Sequence, residues 1–390
     1  MRVGLLRPRS RSLTVPFHKQ LKAGKRLVLK MGNRSMSTQY ETQFTSPSTH
    51  LELLQYVRAT LNGYPSLLKR EFVDVSKKTQ NTSDRGQVGI DQKSTSPFKV
   101  RIFQWNLLAQ ALCLGADNFI KCPKEALEWK PRRLHILEEL LLYEPDVICL
   151  EEVDQYEFIQ SALESIGYKG TFYPKPDSPC LYCDESYGPD GCAIFHNTKK
   201  LKSISIHNVN LKKENASTNQ VAIIQKLQYC NHDDASSSGQ EFYVGVTHLK
   251  AREGWGEFRN LQGIYLLKKI KEIAGSSPLI FMGDFNGDPN EPVYSTFKNS
   301  DLNFGSAYTK LTEDGTEPPY TTWKIRGGRL ATGSIRESCK TLDYMWYTKS
   351  SVTVDRVLKF PTGEEMGVNK LPSFNYPSDH LSLVCDFSIG

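Results

Sequence analysis

Four apolar runs, each ended by a polar or ionisable side chain, constrain this sequence more than any other feature. They are Phe103-Gln104-Trp105-Asn106, Val147-Ile148-Cys149-Leu150-Glu151-Glu152, Phe242 through His248, and Leu279-Ile280-Phe281-Met282 followed by Gly283-Asp284-Phe285-Asn286. An apolar run without alternation reads as a strand covered on both faces. Its polar terminus then lies at the carboxyl edge, where open α/β sheets bind ligands. Asp284 and Asn286 are two residues apart, so a continuing strand would point both to one side. Four such ends predict one rim.

Between these runs lie helical patterns. Trp129–Tyr143 places Leu134, Ile136, Leu137, Leu140 and Leu141 at helical spacing and stops before Pro145. Tyr156–Ile166 and Glu257–Ile273 read as two more helices. Shorter strands fit Cys192–His196, Gln220–Leu227, Leu342–Tyr347 and Leu381–Phe387. The whole of 98–390 reads as one α/β domain of two packed sheets flanked by helices. Residues 41–97 are polar and weakly patterned, a linker with one amphipathic helix at about Leu51–Lys69.

Charge is unevenly distributed. The chain holds 49 Lys and Arg against 43 Asp and Glu, but ten of the basic groups and none of the acids fall in residues 1–40. The other 350 residues keep 39 basic and 43 acidic groups, a net charge of −4. An acidic body argues against general polyanion binding, which needs many cation–phosphate contacts. The basic, Ser-rich, acid-free start has the composition of a mitochondrial transit peptide. Met31 and Met36 offer alternative starts for a cytoplasmic form. No stretch approaches the ~20 apolar residues that span a bilayer, so no membrane insertion is expected. Nine cysteines follow no secreted framework, and the lone Cys180-x-x-Cys183 pair reads as free thiols rather than zinc ligands.

The rim residues suggest phosphate chemistry on a metal. Glu152 closes a buried strand, where an unpaired carboxylate is costly and a hard cation is a natural partner. Glu151 beside it better suits a surface acid. Asn106 offers an amide to a bound water or phosphate. Asp284 is suited to orient and deprotonate a water, with Asn286 holding phosphate. His248, Lys250 and Arg252 share a face if their strand continues, and an imidazole with two cations suits a phosphate dianion. An Asp343–His380 pair would favour an imidazolium able to stabilise charged phosphorus.

Asn106, Glu152, His248, Asp284-Phe285-Asn286, Asp343 and Ser378-Asp379-His380, in this order, resemble the motif set of the exonuclease–endonuclease–phosphatase superfamily over nearly all of 98–390. The resemblance implies a four-layered α/β sandwich, two packed mixed β-sheets flanked by helices, that hydrolyses phosphoesters with Mg²⁺. Leu150–Asp154, Thr247–Arg252, Pro318–Lys324 and Leu371–Pro377 are similar to a circadian-regulated member of its deadenylase-like branch. No leucine-rich repeat is present. Carried over, Glu152 is the metal ligand, Asn106 a phosphate or metal-water contact, and Asp284 with Asn286 handles the nucleophile. His248 and His380 face the phosphoryl group. Lys175, in Pro174-Lys175-Pro176, joins Lys250 and Arg252 on the phosphates of a dinucleotide.

Two substrates are implied: the 2′-phosphate of NADP⁺ and NADPH, giving NAD⁺ and NADH, or the 3′ end of poly(A). A poly(A) track needs a basic groove with stacking platforms. The acidic body and the clustered cations favour the dinucleotide. An inactive nucleotide- or RNA-binding protein is a distant third reading, because neither the metal carboxylate nor the catalytic His is missing. A monomer is expected, with mRNA or RNA-binding proteins as further partners.

Overall fold

The computed structural model describes residues 49–76, 97–115, 119–214, 216–230, 239–327 and 335–390. The transit-peptide expectation for 1–40 lies outside them. In chain order the helices are α1 (His50–Thr60), α2 (Gln110–Gly115), α3 (Lys124–Leu127), α4 (Trp129–Leu142), α5 (Tyr156–Glu164), α6 (Gly256–Ala274) and α7 (Pro292–Lys298). The strands are β1 (Phe72–Asp74), β2 (Phe98–Asn106), β3 (Val147–Glu151), β4 (Tyr168–Pro174), β5 (Gly191–Asn197), β6 (Leu201–Lys213), β7 (Ala216–Tyr229) and β8 (Glu241–His248). They continue with β9 (Leu279–Asp284), β10 (Phe304–Ser306), β11 (Thr322–Gly327), β12 (Ile335–Lys340), β13 (Asp343–Thr348), β14 (Val352–Leu358) and β15 (Leu383–Ile389).

Two mixed sheets form the centre, one in the order β1-β14-β15-β2-β3-β5-β4 and one in the order β10-β13-β9-β8-β7-β6. Strand alternation divides the apolar side chains into layers. Val100, Ile102, Cys149, Val244, Val246, Ile280, Met282, Met345 and Leu383 pack together between the sheets. Phe103, Trp105, Ile148 and Leu150 turn outward onto Leu137 of α4, Ile159 of α5 and Leu53 of α1. Phe281 and Trp346 turn outward onto Leu266 of α6 and Phe297 of α7. The result is the four-layered sandwich expected from the buried runs and the superfamily resemblance. Helix α1 carries a capping box, with the Glu52 N–H donating to Thr49 Oγ1 at 3.2 Å and the Thr49 N–H to the Glu52 carboxylate at 3.0 Å.

Residues 49–76 depart from the expected linker. The helix is shorter than Leu51–Lys69, and Leu53, Val57 and Leu61 are buried in the core. Strand β1 pairs antiparallel with β14, Phe72 opposite Leu358. The weak local pattern hid this because every partner is remote in sequence. Arg70 shows the tie best: its Nη1 donates to Ser382 Oγ at 2.7 Å and to Glu139 Oε1 at 3.3 Å, and both charged side chains are wholly buried.

Candidate active site

Register places the rim residues. Strands β8 and β9 run parallel with His248 opposite Asp284, and β9 and β13 run antiparallel with Asp284 opposite Asp343. In the other sheet β2 and β3 run parallel with Asn106 opposite Glu151. By parity Asn106, Glu151, Asp284, Asp343 and His248 continue the faces that meet between the sheets, so polar groups replace apolar ones at one end of the same layer. Gly283 lets β8 and β9 close there: its φ is +146°, and a Cβ would lie 2.0 Å from the Thr247 carbonyl oxygen.

The amide of Asn106 bridges the sheets, donating to Asp284 Oδ2 at 3.0 Å and to Glu152 Oε1 at 3.2 Å. Its own Oδ1 accepts the Leu108 N–H at 2.9 Å. Glu152 lies just past β3 in the left-handed region, φ +53°, and its Oε2 accepts the Ala109 N–H at 3.0 Å. A non-glycine residue held there stores strain, which often marks a functional position. The expected roles of the two glutamates in packing are reversed. Glu151, the last residue of β3, is fully buried, whereas Glu152 is only partly so. Alternation points Glu151 into the sandwich, and burial, then the neighbouring Asp343, pushes its carboxyl well above the usual range. Glu151 accepts from the Gln104 amide at 2.8 Å.

Asp284 Oδ2 also faces His248 Nε2 at 3.6 Å and His380 Nε2 at 3.8 Å. Burial is the main force raising this carboxyl, to about 7, against the pull of His380. His380 Nδ1 meets Asp343 Oδ2 at 2.9 Å, and Asp343 accepts the Thr321 hydroxyl on the same oxygen at 2.5 Å. Burial alone would lower the imidazole; Asp343 and then Asp284 outweigh it and carry it to about 9. His380 is thus an imidazolium at neutral pH. His248 is the opposite case: burial, then Lys175, holds it well below its ordinary value. Lys175 Nζ lies 3.4 Å from His248 Nδ1, on the side of the ring away from Asp284.

Two strands end sooner than alternation would have them. Strand β9 stops at Asp284, and Asn286 is left-handed with φ +51°. Its N–H donates to Asp284 Oδ1 at 2.8 Å and its side-chain amide to the Leu249 carbonyl at 3.2 Å, so it braces the loop. Strand β8 likewise stops at His248, and Lys250 and Arg252 follow in a strap rather than on one strand face; Arg252 has φ +82°. Burial first, then the charges of Arg252 and Lys175, lowers the Lys250 ammonium. Lys175 is a buried pair with Asp190 at 2.6 Å rather than a free surface cation.

Further residues surround His380 and Asn106. Lys324 pairs with Asp379 and lies 3.4 Å from His380 Nε2, while Arg326 reaches Asp379 at 3.1 Å. Ser378 Oγ donates to the Asn106 carbonyl at 2.6 Å and accepts the His380 N–H at 3.1 Å, tying the two ends of the domain together. Cys180 and Cys183 carry free thiols.

The donors fit a hard divalent cation. Asp284, Asp343 and His380 place donor atoms within 4.8 Å of one another. Glu152, with Asn106 beside it, offers oxygen donors of the kind Mg²⁺ selects.

Comparison with known proteins agrees with this geometry. A model of the endonuclease/exonuclease/phosphatase family matches residues 103–380. Human nocturnin is 47% identical over 367 residues, covering 91% of this chain and 79% of its own. The chain belongs to the nocturnin branch of the endonuclease/exonuclease/phosphatase family. The solved human nocturnin catalytic domain with bound sulfate anion superimposes with a TM-score of 0.64 at 43% identity, covering 83% of this chain and 97% of that one. A more distant relative, the CCR4-Not complex 3′-5′-exoribonuclease subunit Ccr4 of Yarrowia lipolytica, is 27% identical over 314 residues, 68% of this chain and 44% of its own. The chain is accordingly a nocturnin-family hydrolase. No helix among the described residues is long and apolar enough to cross a membrane.

Proposed function

We propose that this chain is a Mg²⁺-dependent phosphatase that removes the 2′-phosphate of NADP⁺ and NADPH, releasing NAD⁺ or NADH. The observation that carries the reading is Lys175 3.4 Å from His248 Nδ1, with Lys250 and Arg252 on the strap that leaves His248, in an otherwise acidic body. Such a spot suits one compact phosphate-rich ligand better than a long polyanion.

In this reading Asp284, poised near neutrality, takes the proton of the attacking water, and the Asn286 N–H fixes its carboxylate. Asn106 braces the Asp284 and Glu152 carboxylates against each other, and neutral His248 lines the phosphoryl site beside them. The His380 imidazolium, steadied by Asp343, stabilises charge that grows on phosphorus as the 2′-oxygen leaves. Lys250 and Arg252 grip the remaining phosphates, with Lys175 as the buried charge behind them. Glu152 would hold the Mg²⁺, which when bound neutralises phosphoryl charge.

The likeness to Ccr4 favours a second reading, a poly(A) 3′ exoribonuclease. Purified full chain offered NADPH and 5′-labelled oligo(A) in parallel separates the two. Phosphate release from NADPH with intact oligonucleotide is expected; rapid shortening of the oligonucleotide with untouched NADPH would overturn the preferred substrate. Residues 1–40 are proposed to direct a mitochondrial form, with starts at Met31 or Met36 giving a cytoplasmic one. A diffuse signal from residues 1–40 fused to a fluorescent protein would exclude import.

A further inference from the structure

The strap from Leu249 to Arg252 carries two of the three proposed phosphate cations, yet it belongs to no strand or helix. Its conformation is fixed from outside. Arg259, one turn into α6 and only 1% exposed, sends Nη1 to the carbonyl oxygens of both Lys250 and Arg252, each at 2.9 Å. Its remaining edge is locked by Glu291, which accepts Nε at 2.8 Å and Nη2 at 2.6 Å in a two-pronged pair. Gln262, on the next turn and wholly buried, accepts the Lys250 N–H at 3.1 Å while its amide donates to Gln220 at 2.7 Å and Thr218 at 2.9 Å. Both backbone polar groups of Lys250 are therefore held by α6. Arg252 keeps its left-handed φ of +82°, a strained state for a residue with a Cβ, which persists only where its surroundings dictate it.

The clamp also touches the loop that carries the base. Gly287, which follows Asn286, leaves room for the Glu291 carboxylate: a Cβ there would lie 2.9 Å from Glu291 Oε2. One carboxylate thus packs on the loop after Asp284 and locks the guanidinium under the cation strap. Only an arginine has a planar fork that can meet a carboxylate and two carbonyls at once.

We propose that Arg259, locked by Glu291, is a positioning residue that sets substrate affinity by presenting Lys250 and Arg252 at a fixed place relative to the catalytic carboxylate. This rests on the reading of Lys250 and Arg252 as the phosphate grip. A preorganised grip binds ground and transition states alike, so losing the clamp raises KM and spares kcat.

The test is a double-mutant cycle in the full chain, comparing Arg259→Gln, Arg259→Lys, Arg252→Ala and the Arg259→Gln/Arg252→Ala pair. Arg259→Gln is expected to raise KM about tenfold with kcat within about threefold, and to add only about threefold to KM once Arg252 is Ala and Lys250 alone remains for the clamp to present. Arg259→Lys keeps the charge but not the fork, and is expected to raise KM nearly as much. Glu291→Gln serves as a milder variant with the same signature should either Arg259 variant fail to fold. An unchanged KM, a loss confined to kcat, or a full additional KM rise in the Arg252→Ala background would overturn the proposal. The cycle is read on whichever of NADPH and labelled oligo(A) the unaltered chain turns over. A chain that cuts only oligo(A) refutes the dinucleotide substrate, and the KM shifts on oligo(A) then decide the role of Arg259 by the same criteria.

Discussion

Behind β15, Arg70 and Glu139 are buried as completely as Glu151, Asp284 and Asp343 are between the sheets. The Arg70 network matches charge with charge. Glu139 Oε1 accepts from Arg70, from the Ser382 hydroxyl at 2.7 Å and from the Tyr376 hydroxyl at 3.0 Å, while Arg70 also donates to the carbonyls of Lys359 and Ser382, each at 2.8 Å or less. One cation answers one carboxylate, and neighbouring dipoles fill much of the rest. The rim cluster is not balanced in this way. Asp284 and Asp343 face the His380 imidazolium, Glu152 meets only N–H dipoles among the described residues, and the nearby ammonium groups of Lys324 and Lys175 are already paired with Asp379 and Asp190. A charge-paired network holds a fold together; an acid-rich one suits a divalent cation.

The contrast between the two clusters is broken first at Glu152. Glu152→Ala should lower turnover by roughly a thousandfold or more, the scale of losing metal stabilisation of a phosphoryl group, with the thermal midpoint almost unchanged. Retained phosphate release would remove the metal assignment. Asp343→Asn should cost about a hundredfold in kcat and move the alkaline limb of the pH profile to lower pH, because His380 loses its main anionic support. In the unaltered chain that limb is expected near pH 9, where His380 gives up its proton, and a flat profile to about pH 10 would contradict an imidazolium role.

Arg70→Met should act on stability instead. It leaves Glu139 buried without a cation, a loss of about 3–5 kcal/mol by denaturant titration, and Arg70→Met with Glu139→Leu should recover most of it. No recovery would mean that Arg70 and Glu139 do not act as a matched pair. Glu151→Gln should do least, within about threefold in kcat, since burial already disfavours the charged form of that carboxyl. A loss as large as that of Glu152→Ala would show that Glu151 is ionised and belongs to the working site.

Much of this was legible in the chain. Continuous apolar runs at β2, β3, β8 and β9 marked the central strands, and their polar ends marked the rim, because burial and strand period act locally. The misreadings came from extending a period past the point where the strand stops. Glu151 keeps the alternation and turns inward, whereas Glu152, Asn286 and Arg252 adopt positive φ and leave it. The docking of residues 49–76, the Lys175–Asp190 pair and the Arg259 clamp had no sequence signature. Arg70 meets partners 69 and 312 residues away, and such contacts are made by the fold alone.

The central claim is that Asn106, Glu152, Asp284 and His380 act as one metal-assisted phosphatase site for NADP(H). Phosphate release from NADPH by the full chain, followed with Mg²⁺ and again with excess chelator, tests it most directly. Stoichiometric NADH and phosphate are expected with Mg²⁺ and none with chelator. Turnover that survives chelation, or NADPH left untouched in the presence of Mg²⁺, would contradict it.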